Sequence, residues 1–472
     1  MEECKKKNWD EKIQKMKNTL ISWKRRNLTI FGKITIIKSL ILPIITFVAQ
    51  STCIPPNATK EINKLLFDFI WGKRDRIKRN IMYQDMLEGG VNMIDIDAFF
   101  TSLKAAWMSK LFNHCDTWNC IAHKHFNCIG DITSITNFHF EKTNCFQHVD
   151  MLPNLYKEVL MSYAKANTYS KPKTKEECLE QPLWGNKHIT VYNNNLGVST
   201  ILLFKEWIDT SIYYVKDLRF IDGNFDQKYV ENIVTNKRDI LRQMLLIRKA
   251  IKPLMVIIGD HEPIKTEDNA IKTVDITVKG FYKQLTDQSK VIHCPSLRKW
   301  EHNLNKQCNF KTTFKKKIYN IKDFKIKEFN FKVIHGILSC EANLKMWKLQ
   351  DYDECIECGK QHNILHLLYE CPNATTLWKL FETCFNHSIS ADTIIVGDIS
   401  HANETNLNFV ISLLCFLLYK YWLLKKNENI TIPMKYFMIK ELHFRTVVYK
   451  TLSWEEISMS IEQLEHHIMT CM

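Results

Sequence analysis

Apolar residues recur along this chain mostly at steps of three and four, the spacing that lines one face of an α-helix. Near the N-terminus, Ile13, Met16 and Leu20 mark such a face within Trp9–Leu20. The next stretch, WKRRNLTIFGKITIIKSLILPIITF, is more apolar. Ile34, Ile37, Leu40 and Ile41 form its expected buried stripe, with Lys33 and Lys38 elsewhere on the circumference. Pro55-Pro56 breaks the pattern, and Asn57 or Thr59 is placed to cap a helix through Phe69, ended by Trp71-Gly72. Gly89-Gly90 permits a sharp turn before VNMIDIDAFFTSLKAAWMSKLF. There Asp95 or Asp97 can cap a helix carrying Leu103, Trp107 and Leu111.

The pattern then weakens. Asn113 to Lys175 holds mixed short runs rich in His and Asn, and QPLWGNKHI reads as strand or loop. Phe204–Leu218 reads as a helix, Lys237–Ala250 as a basic helix and Ile251–Lys272 as a loop-rich connection. A new unit begins near Val278. Its Phe- and Lys-rich stretch Phe310–His335 has two readings: aromatics that stack bases, or helices whose Phe form a core. Two more helices, around Phe409–Lys426 and Tyr436–Leu452, follow. The apolar runs Ile34–Ile54 and Phe409–Leu424 are interrupted by Lys38, Pro43 and Lys420. They fall short of the roughly twenty clean apolar residues of a membrane span and read as buried helices. With Gly at 13 and Pro at 11 of 472 residues, the expected fold is mainly α. It is a helical array in three parts, 1–112, 113–277 and 278–472, with a small zinc knuckle at about 353–380.

The knuckle is the strongest chemical signal. In DECIECGKQHNILHLLYECPNATTLW, Cys355 and Cys358 form a Cys-x2-Cys hook, followed by His366 and Cys371. Thiolates and imidazole suit tetrahedral zinc, and a two-residue gap lets one turn aim both sulfurs at the same ion. Gly359 follows where the turn needs a positive φ, and one helical turn carries His366 and Cys371. Four protein ligands close the tetrahedron, so the expected Zn2+ is structural. His362 and Cys340 are reserve ligands at poorer spacing. Other cysteines, such as Cys53, Cys294 and Cys415, read as small buried apolar residues.

Charge adds a partner. The chain is +14 overall, and Met1–Asp85 alone holds 18 Lys/Arg against 8 Asp/Glu. Such a block attracts a polyanion, or else is a solvated face. MEECKKKNWDEKIQK has no apolar core of a signal peptide, so an intracellular location, with reduced thiols, is expected. No membrane contact or small-molecule substrate is expected.

These features, in this order, resemble the region downstream of the palm in reverse transcriptases of LINE-type retrotransposons, which lack long terminal repeats. The resemblance rests on WKRRNLTIFGKITIIKSLILPIITF with LLFDFIWGKRDRIKRN, on EGGVNMIDIDAFFTSLKAAWMSKLF, on PLWGNKHI with FKEWIDTSIYYVKDLRFIDGNF, and on FKVIHGIL through the knuckle. It implies a thumb that holds a template–primer duplex and a zinc region liganded by Cys355, Cys358, His366 and Cys371. RNA or DNA would then meet Lys24, Arg25, Arg26, Lys33, Lys73, Arg74, Arg76, Lys78 and Arg79 through its phosphates. The family's polymerase needs an Asp-Asp pair for its catalytic metals, and no Asp-Asp occurs here. The family's endonuclease also has no counterpart, so this chain is not expected to be an enzyme by itself. The competing expectation is a decayed or host-adopted remnant that acts as a scaffold or has no function.

Overall fold

The computed structural model describes residues 2–72, 74–108, 117–126, 152–166, 277–288, 295–397, 404–428 and 432–471, and most of 172–258. Within the last range, residues 173, 185, 187, 194–197, 203, 209, 222–223 and 235–238 are not described. Helices dominate, as the three- and four-residue spacing requires. Two short antiparallel strand pairs occur among the described residues, Thr190–Asn193 with Val198–Ile201 and Phe220–Ile221 with Asn224–Phe225.

The chain forms two compact units, each gathered from separate segments. One comprises Met1–Met16, Pro43–Asn63 and Asp95–Ser289; the other comprises Lys17–Leu42, Lys64–Ile94 and Lys290–Met472. The units therefore interleave along the chain instead of following its order.

In the first unit, Trp9, Ile13 and Met16 of the helix Glu2–Lys24 are buried, and Trp9 meets the Phe100 ring edge-on at 5.9 Å. Asp95 caps the helix Ile96–Ala105, its carboxylate accepting from the Asp97 and Ala98 N–H groups. Trp184 and Trp207 are buried side by side, and their indole N–H groups donate to the Ile212 carbonyl and to Gln243. Two expectations fail here. Phe204–Leu218 is not one helix but the short helix Lys205–Ile208 and a 3-10 turn, Val215–Leu218. Conversely, the basic helix continues into the expected loop as Ile240–Ile258, because Ile247, Ile251 and Leu254 keep its buried face intact past Pro253, and residues 259–272 of that loop lie outside the described residues. Leu111 and Cys294 lie outside the described residues.

The second unit is organised by the helix Glu404–Glu428. Val410, Ile411, Leu413, Leu414 and Leu417 are all fully buried, so the helix is apolar around most of its circumference. The helices Phe324–Ile334, Met434–Thr451 and Glu455–Cys471 pack against it. Its Thr405–Asn427 stretch is long and apolar enough to cross a membrane, contrary to the expectation of a shorter run; 72% of its most apolar window is buried within the fold, which is the position of a core helix. Phe314, Phe329 and Phe331 are buried, which favours the core reading of Phe310–His335; Phe324 is exposed.

The other apolar run is also longer than expected, continuous from Ile30 to Ser51 and 39% buried over its most apolar window. Pro43 does not break it because a π turn, Ile37–Ile41, immediately precedes the proline and absorbs its missing N–H. The same turn corrects the expected stripe. In a wider turn the residue four positions on returns closest to the starting face, so Ile37 is followed by Ile41 and Leu40 is exposed. Within the second unit, Gly89-Gly90 is a close crossing. Gly89 has φ +90° under the Phe314 ring, and a Cβ on Gly90 would lie 1.9 Å from the Gln84 carbonyl oxygen. His335 Nε2 lies 2.8 Å from the Gly89 carbonyl, and burial lowers the ring's pKa to about 4, leaving a neutral imidazole that donates this bond.

Two outcomes follow from this packing. Leu414→Ala should destabilise the second unit by about 2–5 kcal/mol, whereas Phe444→Ala, at an exposed position, should stay within about 0.5 kcal/mol; urea titration compares them. Lys317 is buried beside Cys415, and burial lowers its pKa from 10.5 to about 8. Because the folded value lies below the unfolded one, its charge opposes folding fully below pH 8, and that cost fades as pH rises to 10.5. Lys317→Met should therefore stabilise the unit by roughly 2–4 kcal/mol at neutral pH and hardly at all above the unfolded value, measured by urea titration at both.

Candidate metal centre

The hook is a small hairpin closed by its own backbone. Glu354 and Gln361 pair across it, the Cys355 N–H donates to the Lys360 carbonyl at 2.7 Å, and the Gly359 N–H donates to the Cys355 carbonyl at 2.8 Å. Gly359 has φ +71° with open space where a Cβ would be, so the backbone conformation alone selects glycine. The second pair of expected ligands, His366 and Cys371, sits at the two ends of a π turn, His366–Glu370, capped by Cys371. Asn363 holds its start by accepting the His366 N–H at 2.8 Å, and the Cys371 N–H closes it onto the His366 carbonyl at 2.8 Å. This five-residue closure places His366 and Cys371 on one side. Pro372 then opens the helix Pro372–Phe385 at a position that needs no N–H.

Three of the four expected ligands come together, and Cys371, outside that group, approaches one of them. Cys358 Sγ lies 3.3 Å from His366 Nε2, Cys355 Sγ lies 3.9 Å from Cys371 Sγ, and the donor atoms of Cys355, Cys358 and His366 all fall within 4.8 Å of one another. Tetrahedral zinc bonds would separate such donors by about 3.5–3.8 Å. Cys355, His366 and Cys371 are buried and Cys358 is half-buried. Burial raises both buried thiols, Cys371 to about 12, and lowers His366, so without a cation the thiols keep their protons. A divalent cation reverses that preference by supplying the charge that thiolates need. The neutral imidazole is already a competent ligand, with Glu370 Oε2 3.8 Å from its Nδ1.

The surroundings fix this geometry. The Trp378 indole N–H donates to the Leu368 carbonyl at 2.8 Å, and Lys425 pairs with Glu357 of the hook at 2.5 Å. His362, the first reserve ligand, is stacked 4.9 Å from the Trp422 ring, with Nδ1 accepting the Glu341 N–H at 3.3 Å. Cys340 precedes the helix Glu341–Met346 and is likewise outside the cluster. Sequence reasoning missed Glu341, which is fully buried and paired with Lys426 and Gln350. Partners separated by up to 85 positions leave no local pattern.

The basic residues read from the sequence all belong to the segments Lys17–Leu42 and Lys64–Ile94, and thus to the unit that holds the knuckle. Lys24, Arg25, Arg26, Arg74, Arg76 and Lys78 are exposed. Arg26 lies 4.5 Å over the Trp23 ring and Arg76 4.4 Å over Trp347. Lys33 donates to the Ile70 carbonyl at 2.8 Å and burial lowers its pKa; Arg79 pairs with Asp75 at 2.7 Å. Lys73 lies outside the described residues.

Residues 279–378 match the family model described as zinc-binding in reverse transcriptase. That span includes the hook, the π turn and the preceding helices, and the cluster it brings together can hold a metal ion. This part of the chain is a reverse-transcriptase-type zinc-binding region, and its cofactor is zinc.

Proposed function

We propose that the chain is an intracellular nucleic-acid-binding part of a LINE-type retrotransposon reverse transcriptase, with a structural Cys-Cys-His-Cys zinc knuckle. The observation that carries this reading is the shared unit: the exposed basic segments and the zinc-binding region pack into one body. Cys371 is the fourth ligand, supported by its 3.9 Å approach to Cys355. The metal closes the knuckle and holds the helices beneath it. The exposed cations meet backbone phosphates of RNA or DNA, which supply affinity without selecting sequence. Catalysis of polymerisation is not assigned to these residues, since no Asp-Asp pair occurs among them.

The purified protein should carry about one zinc per chain, and Cys355→Ser/Cys371→Ser should lose it by elemental analysis; full retention would overturn the ligand set. Duplex binding should weaken steeply with salt, with a log–log slope near −4 to −5 if about five phosphates are neutralised. Replacing Arg74, Arg76, Lys78 and Arg79 with Ala should flatten that slope and weaken all sequences alike in an anisotropy titration. Absent or salt-insensitive binding by the parent protein would instead leave the scaffold reading.

A further inference from the structure

We infer that His362 is the donor behind the metal ligands: its Nε2–H, reaching across one water, meets the thiolates of Cys355 and Cys371. This inference rests on the zinc-ligand reading above and extends it to a residue outside the ligand set. His362 is 1% exposed, and its ring lies edge-on to the ring of His366 with the centroids 5.9 Å apart. It nevertheless does not join the group of donor atoms formed by Cys355, Cys358 and His366. A buried imidazole beside a metal centre, and yet outside it, needs another role.

The ring is held in one orientation and one tautomer. The His362 N–H donates to the Asp353 carbonyl at 2.7 Å and the His362 carbonyl accepts the Ala342 N–H at 3.1 Å, so the backbone is tied at both groups. The imidazole is stacked on Trp422, 4.9 Å away and 28° from parallel. Nδ1 accepts the Glu341 N–H at 3.3 Å and so carries no proton, which leaves the proton on Nε2. Among the described residues no hydrogen bond engages Nε2. A buried N–H without an acceptor is costly, so this one marks a place for an acceptor.

The surroundings identify that acceptor. His362, Cys355 and Cys371 line one cavity of about 20 Å³ together with Leu418 and Trp422, which is room for one water. Two other polar side chains on the cavity are engaged: Glu357 pairs with Lys425 at 2.5 Å, and the Tyr421 O–H donates to the Ile432 carbonyl at 3.0 Å. Asn373, also on the cavity, is neutral and draws an N–H less strongly than a thiolate does. Three thiolates on a zinc ion leave one negative charge in a buried site, and such charge needs donors directed at it. The lysines of the neighbouring helix are occupied, Lys425 with Glu357 and Lys426 with Glu341, and Lys360 of the hook is exposed, where solvent screens it. The His362 N–H, relayed by the water, spreads the excess charge of the thiolates. Groups behind metal ligands raise affinity in this way.

The test loads the full chain with cobalt(II) in place of zinc, because thiolate-to-cobalt charge-transfer absorption reports the electron density on sulfur. His362→Gln keeps an N–H donor at the reach of Nε2 without the ring. His362→Asn keeps an acceptor at the reach of Nδ1 only, and His362→Phe keeps a stacked ring without either nitrogen. His362→Asn and His362→Phe should move the charge-transfer band to longer wavelength and weaken metal binding about tenfold or more in competition with a chelator. His362→Gln should hold the parental band and stay within about threefold in affinity. A parental band in His362→Phe, or equal shifts in His362→Gln and His362→Asn, would overturn the donor role and leave only packing. Loss of the tetrahedral d–d pattern in all three variants would make His362 a ligand itself and overturn it as well. A charge-transfer intensity of fewer than three thiolates in the parent protein would instead fail the ligand set, and this inference with it.

Discussion

The arrangement around residues 355–371 depends on one constraint: thiols placed in a buried pocket do not ionise without a cation. Burial holds Cys355 and Cys371 in the protonated form, yet their sulfurs approach to 3.9 Å, and Cys355 gathers with Cys358 and His366. Apolar packing alone would give no reason for the donor atoms of Cys355, Cys358 and His366 to gather within 4.8 Å of one another. A zinc ion removes the conflict, since it binds the thiolates and leaves the imidazole neutral. Trp378, Lys425 and Asn363 then appear in their proper role. Trp378 and Lys425 each tie a turn of the site to a neighbouring helix and Asn363 caps the π turn, so the free energy of metal binding becomes stability of the surrounding unit.

The same unit gathers chain from well before the knuckle, and the contacts that do so are tight. Phe31 packs edge-on against Phe331 at 6.1 Å, and the Gly89-Gly90 crossing lies against Phe314 and His335. A substitution at Gly90 would drive a Cβ into the Gln84 carbonyl, so the crossing tolerates no side chain. Through these contacts the basic segments are part of the folded body that holds the zinc region.

Much of this was legible in the sequence because the signals are local. Three- and four-residue apolar steps marked the helices, Asp95 marked a cap, and the Cys-x2-Cys-Gly spacing marked the hairpin with its positive φ. Where the reading failed, the cause was geometry that spacing does not encode. The π turn at Ile37–Ile41 changed the residue count per turn and put Leu40 outside, and the proline that interrupts this apolar run was accommodated by the same device. The interleaving of the two units and the Glu341–Lys426 pair depend on long-range packing, for which a single sequence carries no periodic trace.

The cations show how position changes the meaning of a residue type. Lys33 spends its ammonium on a backbone carbonyl, Arg79 on Asp75 and Lys317 on a buried site that disfavours its charge. A tally of positive residues would count all three as attraction for a polyanion, although their charges are engaged within the fold or opposed by burial. Lys24, Arg25, Arg26, Arg74 and Lys78 differ in being exposed, so their fields extend into solvent over about one Debye length. Arg76 belongs to both groups: its guanidinium stacks on Trp347 while the side chain stays exposed. It therefore offers its charge to solvent from a position fixed by the ring beneath it.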